Sequence, residues 1–183
     1  MHFTKTPIGG AWTIEPAPHV DGRGSFFRAW CINEFTTQGI EFTPLQTNIG
    51  VNRRAGTLRG LHYQAAPHDE AKLVRCTRGA VFDVIVDLRQ DSPTFGHWFG
   101  TELTAANARM ILAPRGCAHG YQVLQDESDV FYMTSAVYEP SAVRGLKYDD
   151  PTVGIEWPLP PVAVSDQDKL WPSLQDYLQG ALR

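Results

Sequence analysis

Two of the six histidines lie in segments whose composition is typical of strands. His62 stands in LRGLHYQ and His119 in APRGCAHGYQVL, whereas the other four stand beside turn residues or near the first residue. Imidazole changes charge near neutral pH, so a histidine held in a strand can exchange a proton with a ligand or bind a metal ion. We therefore treat His62 and His119 as candidate functional residues and assign no role to the others.

The segment around His119 has the spacing Pro-x-Gly-x-x-His at residues 114–119. This spacing is typical of the second motif of cupins, small barrels in which a turn glycine directs a histidine inward. Metal-dependent cupins supply a first motif His-x-His followed by Glu, but here Tyr63 and Gln64 follow His62, and Glu70 is not at the usual spacing. From the residues alone, a two-histidine, one-carboxylate iron site and two core histidines bonded to backbone both stay open.

Asp83 is the anomaly of an otherwise apolar strand. In AVFDVIVDL, residues 80–88, alternate positions fall on opposite faces, which places Asp83 between Val81 and Ile85. A carboxylate buried there alone would be costly. We expect Asp83 to reach a cationic or hydrogen-bonding partner, or to border a wet cavity.

The elements that position these residues are predicted to be short strands joined by turns. Gly and Pro make up 29 of the 183 residues (16 and 13) and recur throughout the chain, a pattern typical of an all-β sandwich or barrel. Short helices are predicted at residues 32–36 and at the C-terminus, where Leu174, Tyr177, Leu178 and Leu182 recur at helical spacing. Besides 80–88, strands are predicted at residues 58–64, 71–76, 98–103, 110–113, 118–124 and 130–138.

Composition and charge narrow the class of protein. Hydrophobic residues are 43% and charged residues 20%, which predicts one globular domain over residues 1–183. The net charge of −4 gives no general attraction for nucleic acid. No apolar run approaches the ~20 residues that cross a bilayer, and the first residues lack a signal-peptide pattern. The scattered cysteines fit reduced thiols, so we expect a cytoplasmic protein: they are Cys31, Cys76 and Cys117.

The ordered motifs of the chain resemble those of the dTDP-4-dehydrorhamnose 3,5-epimerase family, nearly end to end. They are DGRGSFF at 21–27, Gln46 and Asn48, LRGLHYQ at 58–64, AKLV at 71–74, DVIVDLR at 83–89, AHG at 118–120, Tyr132 and Tyr138, DDP at 149–151, IEWP at 155–158, and SDQD at 165–168. The resemblance implies a metal-free, cupin-type β jelly-roll barrel with a few short peripheral helices. It also implies an enzyme that inverts C3, and C5 as well, of a nucleotide-linked 4-keto-6-deoxy sugar for polysaccharide precursors, without a cofactor.

The resemblance implies a role for each catalytic candidate. Removing a proton beside a ketone produces an enolate, so such a site needs a base, cationic donors for the oxyanion and an acid on the opposite face. His62 matches the family's base, Asp168 the carboxylate that orients it, and Tyr132 the proton donor. Lys72 and His119 match the groups around the keto oxygen. We expect Asp83 to hydrogen-bond His119 and hold it in position.

The resemblance also implies the substrate contacts and a homodimer. Guanidinium groups suit a diphosphate, and the stretch of residues 1–30 is expected to be an arm that carries two of the contacts into the partner's site. An aromatic ring from Phe26 or Tyr138 would stack on the nucleobase. The substrate-binding candidates are Arg23, Phe26, Gln46, Asn48, Arg59, Glu70 and Tyr138.

Two departures from the family pattern leave the substrate open. Gly50-Val51-Asn52 stands where a Ser-x-Ser pair is usual, and Glu70 stands where Gln is usual. Glu70 could pair with an arginine or hydrogen-bond a nucleobase such as guanine, so a CDP- or GDP-linked sugar and inversion at C3 alone are alternatives. Two other classes also stay open: a metal-dependent cupin oxygenase that uses His62 and His119, and a sugar-nucleotide binding module without turnover.

Overall fold

The secondary structure consists of short strands with three short helices. The computed structural model describes residues 1–180. Its helices are α1 (Ile32–Thr37), α2 (Asp166–Lys169) and α3 (Leu174–Leu178), and a 3₁₀ turn spans Pro140–Ala142. Its strands are β1 (His2–Lys5), β2 (Trp12–Glu15), β3 (His19–Asp21), β4 (Gly24–Phe26), β5 (Gln46–Asn52), β6 (Thr57–Gln64), β7 (Lys72–Arg78), β8 (Ala80–Asp87), β9 (Trp98–Thr104), β10 (Met110–Ala113), β11 (Cys117–Val123), β12 (Ser128–Thr134), β13 (Val143–Gly145) and β14 (Ala163–Val164).

Two sheets form the walls of a barrel. The first has the strand order β1-β2-β10-β7-β12-β5 and the second the order β13-β6-β11-β8-β9, with β14 added parallel to β6. All other pairs within the two sheets are antiparallel. The prediction of an all-β jelly-roll barrel with a few short helices is confirmed.

The apolar core lies between the two sheets, and strand alternation decides which residues enter it. In β8, Val81 and Ile85 join the interior cluster, whereas Val84 and Val86 join a second cluster on the outer side of their sheet. Because Asp83 shares its face with Val81 and Ile85, the alternation places this carboxylate inside the barrel, where it is fully buried.

The predicted C-terminal helix packs on the barrel exterior as expected. Leu174 of α3 lies in the outer cluster of the second sheet, and Tyr177 Oη donates to Leu88 O at 2.9 Å. Leu182, which was part of the predicted pattern, lies outside the described residues. The helix α2 was not predicted because its four residues show no apolar period. It begins after Ser165, whose side chain caps it by accepting from Asp168 N.

The last predicted strand ends earlier than expected. We predicted residues 130–138, but β12 ends at Thr134. The Thr134 hydroxyl donates to Ala136 O at 2.8 Å, and this local side-chain bond turns the chain out of the ladder. Tyr132 is therefore in the strand, while Tyr138 follows it in a loop.

The first 30 residues divide into two parts. Strands β1 and β2 belong to the first sheet through pairing with β10, so this half is built into the barrel wall. The hairpin of β3 and β4 pairs only with itself among the described strands, and its Val20 and Phe26 are 74% and 76% exposed. All six strand residues of the hairpin are exposed, as expected of an arm, and its exchange between subunits stays a prediction.

Candidate active site

His62 and Asp168 form a hydrogen-bonded pair in the barrel. His62 is on β6 and Asp168 is on α2, and His62 Nε2 lies 2.5 Å from Asp168 Oδ1. The backbone N–H of Gly60 donates to the other carboxylate oxygen at 3.3 Å. The Asp168 side chain is 5% exposed and that of His62 is 38% exposed, so the carboxylate lies beneath an imidazole that remains accessible.

The environment of Asp168 favours its ionised form. Burial alone would raise the pKa of this carboxyl, but the hydrogen bond and charge of His62, the Gly60 N–H and the Ser165 hydroxyl outweigh burial and lower the pKa below its usual value. A carboxylate that stays charged can orient the imidazole and stabilise it when it takes up a proton.

His119 and Asp83 form a second pair beside the first. His119 on β11 lies directly opposite His62 on β6 in the strand ladder. Its Nε2 is 2.9 Å from both carboxylate oxygens of Asp83, as predicted for these two residues. Burial raises the pKa of Asp83, while the charges of His119 and Lys72 oppose that rise. The two histidines thus share one face of the second sheet.

Lys72 lies at the start of β7 with its ammonium group directed into the same space. Its Nζ donates to His62 O at 3.1 Å and lies 3.2 Å from Glu70 Oε1. Gln64 donates to the other oxygen of Glu70 at 3.3 Å. Among residues 1–180, Glu70 therefore pairs with a lysine and an amide, and the arginine that we considered from the sequence is not at ion-pair distance from it.

Tyr132 faces the histidines from the other sheet. It lies on β12 in the first sheet, whereas His62 and His119 belong to the second. Burial raises the pKa of the Tyr132 phenol, and the nearby carboxylate of Glu70 raises it further. The phenol therefore keeps its proton over the range in which a histidine titrates.

Two adjoining cavities meet at His62, Lys72 and Tyr132. The larger has a volume of about 660 Å³ and the smaller about 200 Å³. Of the other predicted site residues, the larger cavity is lined by Arg59, His119 and Asp168, and the smaller by Gln46, Asn48, Glu70 and Tyr138. Asp83 lies behind His119, at hydrogen-bond distance from it. The fold thus brings eleven of the thirteen candidates together.

Arg23 and Phe26 are the two candidates that the chain keeps away from its own cavities. Both lie in the exposed hairpin, and the Arg23 side chain is 92% exposed. Its guanidinium pairs with Asp21 at 2.6 Å. If these residues contact a substrate, they do so in another copy of the chain.

Residues at the site that were missed from the sequence include Asn52, Gln64 and Trp171. Asn52 accepts from Arg59 Nε at 2.8 Å and so fixes this arginine. Gln64 contacts Glu70, as described above. Trp171 donates through Nε1 to Asp168 Oδ1 at 3.2 Å. Asn52 belongs to the Gly-Val-Asn departure, which was its available signal, and the available signal for Trp171 was its position three residues after Asp168.

The two imidazoles do not belong to a cluster of metal-ligand type. Within residues 1–180, no group of three or more His, Cys, Asp or Glu side chains is arranged to hold a metal ion. The Nε2 atoms of His62 and His119 each face a carboxylate instead.

In the same described part of the chain, no helix has the length and apolar character needed to span a membrane.

Comparison with known proteins identifies the family. The family model described as dTDP-4-dehydrorhamnose 3,5-epimerase matches residues 5–176. The chain belongs to this epimerase family. A member from Methanothermobacter thermautotrophicus is 41% identical over 179 residues, which are 96% of each chain. A dTDP-4-dehydrorhamnose 3-epimerase from Streptomyces niveus is 38% identical over 93% of this chain and 83% of its own.

Solved structures of the epimerase family share the fold. An epimerase from Legionella pneumophila in complex with dTDP-4-keto-L-rhamnose superposes with a TM-score of 0.89 at 36% identity, covering 95% of this chain and 93% of that chain. The chain described here is therefore an epimerase, and family membership favours this class over the oxygenase and the binding module.

Proposed function

We propose that the enzyme inverts C3 and C5 of dTDP-4-dehydro-6-deoxyglucose through enolate intermediates. The observation that carries the proposal is the contact between His62 Nε2 and Asp168 Oδ1 at 2.5 Å beside a cavity large enough for a sugar. In this arrangement Nε2 holds its proton toward Asp168, so the lone pair of Nδ1 is free to accept a proton from carbon.

One base serves both carbons because of the sugar's stereochemistry. C3 and C5 flank the C4 ketone, and in the gluco ring their hydrogens are axial on the same face. Proton removal at either carbon is activated by the carbonyl, which becomes an oxyanion. His62 therefore takes the proton from each carbon in turn.

Lys72 and His119 stabilise the oxyanion. Lys72 and His119 lie on opposite sheets and both line the larger cavity. Positive charge and N–H donors in a largely enclosed site act more strongly than in water. Asp83 supplies the counter-charge that keeps His119 in place.

Tyr132 returns the proton from the opposite face. Because it projects from the first sheet while His62 projects from the second, a ring bound between them has one group on each side. Its raised pKa keeps the phenol protonated until an enolate is present to receive the proton. The sequence of deprotonation by His62 and reprotonation by Tyr132 inverts the carbon.

The nucleotide end of the substrate occupies the smaller cavity. Tyr138 offers a 58% exposed ring for stacking, and Gln46 accepts from the Tyr138 N–H at 3.0 Å while donating to Asn48. Glu70 acts on the nucleotide end indirectly, by holding Lys72 and Gln64 in position. The Legionella relative binds a dTDP-sugar, which supports dTDP over the CDP and GDP alternatives. Arg59 lines the larger cavity, and we propose that its guanidinium binds the diphosphate that joins the sugar to the nucleotide.

The proposal includes a homodimer with an exchanged hairpin. Arg23 and Phe26 would complete the partner's site, since neither reaches the cavities of its own chain. On the edge strand β5, Ile49 and Val51 are 66% and 58% exposed, which gives such a dimer apolar surface to cover. Sedimentation of the wild type tests the dimer. The Arg23→Ala variant should sediment as the wild type does and should lose activity in the exchange assay.

A cytoplasmic setting accords with the free thiols of Cys31, Cys76 and Cys117.

Incubation in D₂O tests the proposed function. The enzyme is mixed with the dTDP-, CDP- and GDP-linked 4-keto-6-deoxy hexoses, and the C3 and C5 proton signals are followed by NMR. We expect loss of both signals with the dTDP-sugar and formation of the C3,C5-inverted product. Exchange at C3 alone would establish the alternative that the Streptomyces niveus 3-epimerase represents. No exchange with any of the three would refute the proposal.

A further inference from the structure

The indole of Trp171 lies behind the catalytic pair and contacts both of its members. Its Nε1 lies 3.2 Å from Asp168 Oδ1, the oxygen that His62 also faces. Its ring meets the His62 imidazole edge-on with centroids 6.1 Å apart. Trp171 lies outside the lining of both cavities, so its contacts are with the catalytic pair and not with a substrate in either cavity.

The fold reserves the space for this indole. Gly145 on β13 lies directly opposite His62 in the ladder. A Cβ at Gly145 would come 2.3 Å from the Trp171 ring, closer than real side chains approach. His62 therefore has His119 as its neighbour on one side and, on the other, a glycine over which the indole lies. Any side chain at position 145 would push the indole out.

The segment that carries Trp171 is anchored at two points. Lys147 N donates to Pro172 O at 2.9 Å, and Leu174 N donates to the buried carboxylate of Asp150 at 2.6 Å. Asp150 belongs to the Asp-Asp-Pro motif that had no assigned role in the sequence. Both bonds are made within three residues C-terminal to Trp171, and they hold the segment that carries the indole against Asp168.

We propose that Trp171 is a positioning residue that holds Asp168 for His62 and limits how strongly this carboxylate attracts the imidazole proton. The inference rests on the proposed function, since it assigns His62 as the base. Because the indole N–H also donates to Oδ1, this oxygen accepts the hydrogen bond from His62 less strongly than it would with His62 as its single donor. Without the indole N–H, Asp168 would hold the His62 proton more strongly.

Other charged groups act on the same pair but cannot replace this contact. The groups that face His62 or the cavity are Lys72 from β7, Arg59 from β6, His119 from β11 with Asp83 from β8, and Tyr132 from β12. Glu70 acts through Lys72. None of them has a hydrogen bond to Asp168 among the contacts of the described residues. Substitution at Trp171 leaves all of these groups in place.

Three variants test the inference. Trp171→Phe removes the N–H and keeps an aromatic ring, Gly145→Ala displaces the indole without changing it, and Trp157→Phe is the matched control. Trp157 donates to Tyr148 O at 2.9 Å, away from the site. For Trp171→Phe and Gly145→Ala, we expect kcat for C3 exchange to fall about tenfold, as for one hydrogen bond to a charged group, with KM within twofold. We also expect the acid limb of the kcat profile to move to higher pH, and neither change in Trp157→Phe.

A spectroscopic measurement separates this inference from the proposed function. In ¹⁵N-labelled enzyme, the Trp171 indole N–H signal should shift in Asp168→Asn, and the ring nitrogen signals of His62 should shift in Trp171→Phe, with no substrate present. Unchanged signals together with wild-type kcat and pH profile in Trp171→Phe would overturn the inference while leaving the proposed function intact. If the wild type shows no exchange with any sugar nucleotide, the proposed function fails, and the indole shift alone decides whether Trp171 holds Asp168.

Discussion

Both carboxylate oxygens of Asp83 lie 2.9 Å from Nε2 of His119. The pair spans two neighbouring strands, β8 and β11, inside the barrel, and Asp83 is fully buried while His119 is nearly so. A buried carboxylate with a single imidazole partner fixes both the ring's orientation and the charge that it can carry.

The Asp83→Asn variant should lose both activity and stability. The amide keeps the shape of the side chain but cannot balance a charged His119, so we expect kcat to fall by about ten- to a hundredfold. Because the substitution removes one partner of a buried pair and leaves the imidazole without its counter-charge, the free energy of unfolding should also fall, by about 3 kcal/mol. Exchange rates in D₂O and urea unfolding measure the two effects. Wild-type kcat would show that His119 does not depend on Asp83.

Removing either member of the His62–Asp168 pair should stop exchange at both carbons. A histidine base contributes about 10²- to 10⁴-fold, so His62→Ala and Asp168→Ala should lose that factor at C3 and C5 alike with the fold intact. NMR exchange rates measure the loss, and the circular dichroism spectrum checks the fold. A variant that still exchanged at one carbon would require a second base.

The Tyr132→Phe variant should separate exchange from inversion. If Tyr132 is the acid on the opposite face, His62 can still remove and return a proton, so deuterium enters C3 without change of configuration. The chemical shifts of the H1 and H2 protons in the recovered sugar distinguish retention from inversion. Loss of exchange as well as inversion would assign Tyr132 a different role.

The Glu70→Gln variant should shift the basic side of the pH profile. Burial is the main cause of the raised pKa of Tyr132, and the Glu70 carboxylate adds to it. Removing this negative charge should lower the pKa of the phenol, so the basic limb of kcat moves to lower pH. The difference between the ultraviolet titration curves of Glu70→Gln and Glu70→Gln/Tyr132→Phe gives the pKa of this phenol. Asp69→Asn, at an outlying pair with Arg115, is the control and should leave the limb in place.

Asp87 should contribute stability that depends on pH. Burial of its carboxyl would raise the pKa, but donors from Arg89, Ser92 and Thr94 lower it well below the usual 3.8. A depressed pKa stabilises the fold above the unfolded value and loses that effect as pH falls toward the folded value. Asp87→Asn should therefore lower the free energy of unfolding by about 3 kcal/mol at pH 7, and by less below about pH 4.

Urea unfolding at pH 7, 5 and 3 measures this difference. The exposed Asp149, which pairs with Lys147 at 3.5 Å, provides the control variant Asp149→Asn, for which we expect little change at any of these values. A deficit for Asp87→Asn that stayed constant down to pH 3 would contradict the assignment of its stabilising effect to the ionised carboxylate.

Local patterns were sufficient to predict the barrel and part of the site. Alternation with a period of two placed Asp83 on an apolar face, and this face is the interior. The proximity of His62 and Asp168 was predicted only through the family resemblance, because the two residues are 106 positions apart. The end of β12 was missed since one hydroxyl, that of Thr134, decides it.

Contacts that depend on how the elements pack could not be predicted from the sequence. Trp171 meets Asp168 because Gly145, distant in sequence from both, leaves space for the ring. The bond between Asn52 and Arg59 depends on the positions of β5 and β6 in different sheets. Such contacts follow from packing, which no local pattern encodes.

Asp168 is delivered by a two-residue strand, β14, and a four-residue helix, α2, and not by one of the longer strands of the barrel. Elements this short have few bonds to break, so they can detach while the two sheets remain paired. Catalytic competence would then vanish in milder denaturant than does the fold. Hydrogen exchange would detect this as early loss of protection at the Asp168 amide, ahead of the amides in β8.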